Sequence, residues 1–250
     1  MADNVDDKMV KQIAYEAVAE LRAARRWRIF FYSIFALYLL SFFIIYWAKE
    51  NNSMGASSGE HTALVNIKGV ISDQTEANAD SIVTGLRNAF EDKNTKGVIL
   101  RINSPGGSPV QAGYINDEIM RLKQAYPAIP IYAVISDICA SGGYYIASAA
   151  DQIYADKASL IGSIGVVMAG FGFVDSIEKL GMERRLLTAG ENKGFMDPFS
   201  PLKHEEVDHV QGLLKDIHQQ FIDVVKQGRG SRIADDDKIF SGLIWTGEQS

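Results

Sequence analysis

Two glycine-containing turns carry the residues best suited to chemistry, and each directly follows a run rich in β-branched residues. One turn is "SPGG" at 104–107, after "VILRIN", and the other is "ASGG" at 140–143, after "IYAVISDIC". In a parallel sheet, both turns would lie at the carboxyl ends of strands, where open α/β sheets bind their ligands. Glycines allow backbone N–H groups to approach a substrate oxygen, so the pattern favours a site that stabilises an oxyanion.

Ser141 stands between these glycines and a short apolar stretch, "GGYYIASAA", that is typical of a helix. Serine is a common N-cap, whose side chain accepts a hydrogen bond from the first helical turn. A serine at the start of a helix is also exposed enough to act as a nucleophile when a base lies within reach. The motif alone leaves both roles open.

Histidine is an unpromising base for Ser141. His61 precedes the first predicted strand, and the other three histidines belong to a charged amphipathic helix, where exposed positions are expected: His204, His209 and His218. No Ser-His-Asp triad is therefore visible in the sequence.

A lysine can replace histidine as the base when burial lowers a lysine pKa from about 10.4 toward neutrality. Lys193 is the candidate, because glycines bracket it in "AGENKGF" and an apolar segment follows. Lysines in glycine-flanked loops are usually solvated, so the loop alone does not decide its role. Cys139 is interpreted as a small buried residue and not as a nucleophile.

Short β-branched runs alternate with helical patterns from His61 onward, which predicts an α/β fold with a mainly parallel sheet and flanking helices. Strands are predicted at 62–71, 97–103, 129–136, 152–156 and 162–168, and helices at 81–92, 110–126 and 203–227. The last helix has an apolar stripe that fits a core or subunit contact, formed by Val207, Val210, Leu214, Ile217, Phe221 and Val224.

Residues 29–48 form an uncharged apolar stretch of 20 residues, which matches a hydrocarbon core of about 30 Å. Tryptophans flank it and four arginines precede it, so the positive-inside rule predicts a transmembrane helix with residues 1–28 in the cytoplasm. A cleavable signal peptide and a buried core helix are the alternatives. Residues 49–60 are predicted to be a flexible tether, and residues 61–250 one domain.

Composition excludes several classes of protein. The 250 residues include 31 acidic and 25 basic side chains, giving a net charge of −6, so nucleic acid is an unlikely partner. A single cysteine excludes an internal disulfide and argues against a metal site built from cysteines. "TGEQ" near the end resembles a capping box that begins a helix, from which a chain truncated at its C-terminus is expected.

Four segments together resemble the signal peptide peptidase A family of serine proteases, in its short, single-repeat form, a relative of the Clp protease and crotonase folds. They are "RINSPGG", "ASGGYYIASAADQIYA", "LIGSIGVV" and "TAGENKGFMDPFSP", in the family's order, and the resemblance covers about residues 61–250. It implies a catalytic Ser/Lys dyad at Ser141 and Lys193. It further implies oxyanion donors at the backbone of Gly107 and Gly142, and a lysine-orienting hydroxyl at Ser163.

The resemblance also implies a function. The expectation is an endopeptidase anchored in the bacterial inner membrane, with its domain on the extracytoplasmic side, that degrades cleaved signal peptides and other apolar peptides. No cofactor or metal is expected. Relatives form ring-like homo-oligomers in which neighbouring subunits can share a dyad. A crotonase-like acyl-CoA enzyme and a catalytically silent membrane scaffold are the alternatives.

Overall fold

The computed structural model describes residues 3–52 and 59–250, and the chain divides into two units between Ser57 and Ser58. The described residues of the first unit form a single helix, α1, Asp3–Asn52. From Asp3 onward, the predicted cytoplasmic segment and span are therefore one continuous helix, and the predicted tether overlaps the end of α1, with 53–58 outside the described residues. Within α1, Arg25–Trp47 is long and apolar enough to cross a membrane, with a mean hydropathy of 2.2.

The second unit alternates strands and helices as the sequence predicts. The strands are β1 His61–Lys68, β2 Thr95–Ser104, β3 Ile131–Ala140, β4 Gln152–Ala155, β5 Leu160–Gly162 and β6 Ile244–Thr246. The helices are α2 Ala79–Glu91, α3 Pro109–Ala125, α4 Gly142–Ala147, α5 Val174–Lys179 and α6 His204–Arg229.

The strands form one sheet in the order β1-β2-β3-β5-β6, with β4 also paired to β3. All pairs are parallel except β5 with β6, so the predicted mainly parallel sheet is confirmed. β4 pairs with 132–135 of β3 and β5 pairs with 138–140, so both occupy the same edge of β3. This arrangement places the ends of β2, β3 and β5 side by side.

The strand predicted at 162–168 is wrong in its position. The strand lies at Leu160–Gly162, because Gly162 and Ser163 adopt φ values of 103° and 53° that lead the chain out of the ladder. The Ser163 N–H instead donates to Leu243 O at 2.7 Å. The helix expected from "TGEQ" is also replaced by a turn after β6, although Gln249 Oε1 accepts from the Thr246 N–H at 3.1 Å as in a capping box.

α2, α3 and α4 bury the main hydrophobic core against the sheet. α2 begins after Asn78, whose side chain accepts from the Ser81 N–H, and α3 begins after Ser108 with a proline in its first turn. The largest fully buried side chains of this core include Leu86, Phe90, Leu100, Ile102, Ile115, Ile119 and Ile146. Burial of each such side chain contributes about 1.5–3 kcal/mol, which holds these helices, and the turns at their N-termini, against the sheet.

Glu118 joins α2 to α3 through two arginines. Its carboxylate accepts from Arg121 Nη2 at 2.6 Å and from Arg87 Nε at 2.7 Å. The hydrogen bonds from Arg121 and Arg87 lower the pKa of Glu118 from 4.5 to about 2. The folded state therefore gains stability from this carboxylate above pH 4.5, and the gain is lost as the pH falls toward 2.

Glu118→Gln is expected to lower the free energy of unfolding by about 1–3 kcal/mol at pH 7, because two charge-assisted contacts are lost. The difference from the unchanged protein should shrink as the pH falls through this window. Urea unfolding from pH 7 to pH 2.5 measures it, with exposed Glu178→Gln, away from these arginines, as the matched control. A constant difference over the whole range would contradict the assigned pKa shift.

Candidate active site

The two glycine turns meet, as their positions after parallel strands predict. A Cβ on Gly106, which has a φ of 101°, would lie 2.7 Å from Ser141 Cβ and 2.7 Å from Gly142 N. A Cβ on Gly107 would lie 2.1 Å from Ile71 O. Glycine is therefore required at both positions, because a side chain at 106 would push the turn away from Ser141 and one at 107 would push it away from the backbone of Ile71.

Ser141 occupies the N-cap position of α4, but its hydroxyl does not cap the helix. Its backbone has φ 52° and ψ −123°, a conformation that non-glycine residues seldom adopt. The Ser141 N–H donates to Gly162 O at 2.9 Å, which holds this turn against the end of β5. A strained serine at a strand-to-helix turn has the geometry of a nucleophile elbow, in which the hydroxyl is presented to substrate.

Two backbone N–H groups lie beside Ser141. The position that a Cβ would take on Gly142 is 3.3 Å from Gly107 N, so these two glycines are in close contact. The ladder bonds around Gly107 use its neighbours, with the Ser108 N–H donating to Ile71 O and the Ile71 N–H donating to Gly106 O, both at 2.8 Å. Among the hydrogen bonds of the described residues, the Gly107 N–H donates none, which leaves it available to a substrate oxygen.

An open cleft of about 1010 Å³ contains Ser141, Gly142, Gly107 and Ser163 in its lining. α3, α4 and α6 form its walls, and most of the side chains are apolar or aromatic: Val110, Tyr114, Tyr145, Val166, Val167, Ile217 and Phe221. Four of the five residues singled out from the sequence therefore share one cleft.

Ser163 lies next to Ser141 because of the strand register. Ala140 pairs with Gly162, so each serine is the first residue after a paired position on adjacent parallel strands. Neighbouring strands are about 4.8 Å apart, which sets the scale of the separation between the two backbones. Ser163 also has a positive φ of 53°, so both serines leave their strands in unusual conformations.

Lys193 lies outside the lining of this cleft. It is exposed, and its N–H donates to Gly190 O at 3.1 Å. Its loop contacts the beginning of α6, where Glu206 Oε2 accepts from the Met196 N–H at 3.2 Å. The first α6 residue in the cleft lining, Ile217, is 11 residues beyond Glu206, or about 17 Å along the helix. Within one chain, the structure does not bring Lys193 to Ser141.

His218 is a cleft residue that sequence reasoning missed. It is half-buried, and its Nε2 donates to Ile164 O at 3.0 Å, which ties α6 to the segment after Ser163. The apolar stripe predicted on α6 includes Ile217, the residue before His218. This adjacency was the one signal in the sequence that His218 lies near a packed surface. The contact depends on the path of residues 163–166, which helical periodicity does not report.

Two further titratable side chains, Cys139 and Tyr145, lie near Ser141 or in the cleft wall. Burial raises the pKa of the Cys139 thiol, so it stays protonated and unreactive, as the sequence predicts. Burial, with a smaller contribution from the charge of Asp117, raises the pKa of Tyr145 in the cleft wall. Among the described residues, no group of three or more His, Cys, Asp or Glu side chains is placed to hold a metal ion.

Comparisons with known proteins find relatives over most of the chain. The chain is 33% identical over 210 residues to a protein of Enterococcus faecium provisionally named signal peptide peptidase SppA, covering 81% of this chain and 60% of that protein. It is 34% identical over 192 residues to Protease 4 of Haemophilus influenzae, covering 75% of this chain and 31% of that protein.

A Brucella melitensis protein named Na(+)/H(+) antiporter NhaA is 46% identical over 162 residues, which is 65% of this chain but only 22% of that longer protein. The chain thus spans 60% or less of these three relatives. The model of peptidase family S49 matches residues 123–250, just over half of the chain, and this range contains Ser141, Ser163 and Lys193. The strained serine and its cleft therefore lie in a chain that belongs to peptidase family S49.

Proposed function

We propose that this protein is a serine endopeptidase whose nucleophile is Ser141. One observation carries the proposal. Ser141 is held in a strained conformation at a strand-to-helix turn, its hydroxyl makes no capping hydrogen bond, and the N–H groups of Gly107 and Gly142 lie beside it. Backbone strain of this kind persists where the surrounding structure imposes it, and it clusters at active sites. Membership of a peptidase family supports the same assignment.

The reaction is acyl transfer in two halves. Ser141 Oγ gives its proton to a base and attacks the peptide carbonyl carbon, and the resulting oxyanion accepts hydrogen bonds from the Gly107 and Gly142 N–H groups. The protonated base then donates its proton to the leaving amine, so the C–N bond breaks and an acyl-enzyme remains. Water, deprotonated by the same base, hydrolyses the ester and restores the Ser141 hydroxyl.

Lys193 is the base in this proposal, and it is supplied by a neighbouring copy of the chain. The support is geometric, because the Lys193 loop contacts α6 at Glu206, about 17 Å along the helix from Ile217, the nearest α6 residue in the cleft of its own chain. The segment around this loop exposes large apolar side chains, including Val167 (85% exposed), Phe171 (83%) and Leu187 (96%), which suits contact with another copy. Ser163, beside Ser141, would orient the incoming lysine amine, which must be neutral to accept the Ser141 proton.

Apolar peptides at a membrane are the proposed substrates. The cleft is lined mainly by apolar side chains, and α1 contains a stretch able to span a membrane. The arginines at 22, 25, 26 and 28 favour a cytoplasmic N-terminus, which would place the peptidase unit on the opposite side. The name of the Enterococcus faecium relative points to cleaved signal peptides as one source of such substrates.

A serine-directed phosphonate probe tests the function on the full-length protein in detergent. The expected result is a covalent adduct on Ser141, located by peptide mass spectrometry, and protection from labelling by an excess of an apolar peptide. A silent scaffold would show no adduct, and an acyl-CoA enzyme would be protected by acyl-CoA and not by peptide. Either outcome would contradict the peptidase assignment.

A further inference from the structure

Asp117 is an unpaired carboxylate in the wall of the cleft. It lies on α3, it is exposed, and no ion pair or side-chain hydrogen bond involves it among the described residues. Among the described residues that line the cleft, it is the only carboxylate, and none is lysine or arginine. An extended peptide in this cleft would therefore meet one uncompensated negative charge in otherwise neutral surroundings, apart from the imidazole of His218.

The distance from Asp117 to the reacting atoms follows from α3. Val110, Gly113, Tyr114 and Asp117 line the cleft at helical spacing, so they share the face of α3 that borders it. α3 begins directly after the Gly107 turn, and Asp117 is eight residues beyond its first residue, or about 12 Å along the axis. An extended peptide rises about 3.3 Å per residue, so this distance corresponds to three or four residues from the scissile bond.

The surroundings of Asp117 suit a cation. Its negative charge reaches Tyr145, whose pKa it helps to raise, so the carboxylate and this ring are neighbours. The Tyr145 ring lies 5.0 Å from that of Phe221, and both line the cleft. A lysine, arginine or terminal ammonium group placed here would meet a carboxylate and lie near two aromatic rings, and both kinds of group favour a positive charge.

We propose that Asp117 makes the cleft select peptides that carry a cation three or four residues from the bond to be cleaved. The inference rests on the proposed function and names the substrate class of the same cleft. The cation is either a basic side chain or a free terminal amine, since both present the same ammonium or guanidinium chemistry.

The test measures peptide binding separately from hydrolysis. Full-length protein carrying Ser141→Ala is titrated with fluorescent apolar peptides of one length, in which a single lysine replaces norleucine at each position in turn. All of these peptides have acetylated N-termini, and a free-amine norleucine peptide separates a terminal amine from a basic side chain. We expect lysine at one position, or the free amine, to tighten Kd by about threefold to tenfold at low salt, with a smaller effect in 0.5 M salt.

Adding Asp117→Asn should remove this preference, and Asp117→Lys should reverse it toward glutamate-containing peptides. Asp235→Asn removes the same charge from an exposed position outside the cleft and should retain the preference. The inference is overturned if the Kd ratio survives Asp117→Asn, or if no cation tightens binding. Failure of the peptidase function would instead appear as unlabelled Ser141 in the unchanged protein.

Discussion

Ser141→Ala is expected to reduce kcat for peptide hydrolysis by about a thousandfold or more, because the change removes the hydroxyl that forms the acyl-enzyme in the proposed reaction. The residual rate would come from the Gly107 and Gly142 N–H groups, which still bind an oxyanion. Stability should change little, since the Ser141 hydroxyl caps no helix and alanine has the same Cβ constraint at φ 52°. A fluorogenic apolar peptide and thermal unfolding measure the two quantities.

Two further variants make this result specific. Ser141→Gly should also lose activity, yet it should stabilise the protein by about 1 kcal/mol, because glycine adopts positive φ without strain. Ser81→Ala, an exposed serine on α2, should leave activity unchanged. Activity of Ser141→Ala within tenfold of the unchanged protein would assign the nucleophile to another residue.

The meeting of the two turns could be predicted because it depends only on strand order and direction. Parallel strands end at the same edge of a sheet, so "SPGG" and "ASGG" had to come together once β2 and β3 were neighbours. The close contact of Gly106 with Ser141 is the detailed form of that prediction. The sequence also predicted close backbone approach at these turns, because glycines have no Cβ to prevent the contact.

The conformation of Ser141 could not be predicted in this way. Its φ of 52° arises because its N–H donates to Gly162 O, in a strand that begins 19 residues later. Local propensity favours a serine N-cap with its hydroxyl bonded to the helix, and the tertiary contact overrides it. The same cause extends β3 beyond the predicted end at 136, since Ile138, Cys139 and Ala140 pair with β5.

Lys193 shows a different limit. Its motif could be recognised in the sequence, but the position of a loop relative to a cleft depends on the helix that holds it. Glu206 and His209 of α6 contact Met196 and Phe195, which fixes the loop near the N-terminal end of that helix. α6 extends from this loop to the cleft, and His218 lies on the part of α6 that lines the cleft.

The proposed sharing of a Ser141–Lys193 dyad between copies of the chain predicts complementation. Lys193→Ala and Ser141→Ala should each be inactive alone, because one loses the base and the other the nucleophile. Coexpressed with different tags and purified through both, they should regain about a quarter of the activity, since random neighbours pair an intact Ser141 with an intact Lys193 at one site in four. Lys93→Ala, an exposed lysine at the opposite end of the strands, is the matched control and should stay active.

A dyad formed within one chain would give a different result from the same mixture. Each chain would then carry its own defect, no site would contain both intact residues, and the coexpressed variants would remain inactive. A third arrangement, with His218 as the base, would leave Lys193→Ala active and inactivate His218→Ala. Because His218 contacts Ile164 within its own chain, such a base would also give no complementation with Ser141→Ala. Recovery of activity on mixing therefore requires both that Lys193 is the base and that it crosses between copies.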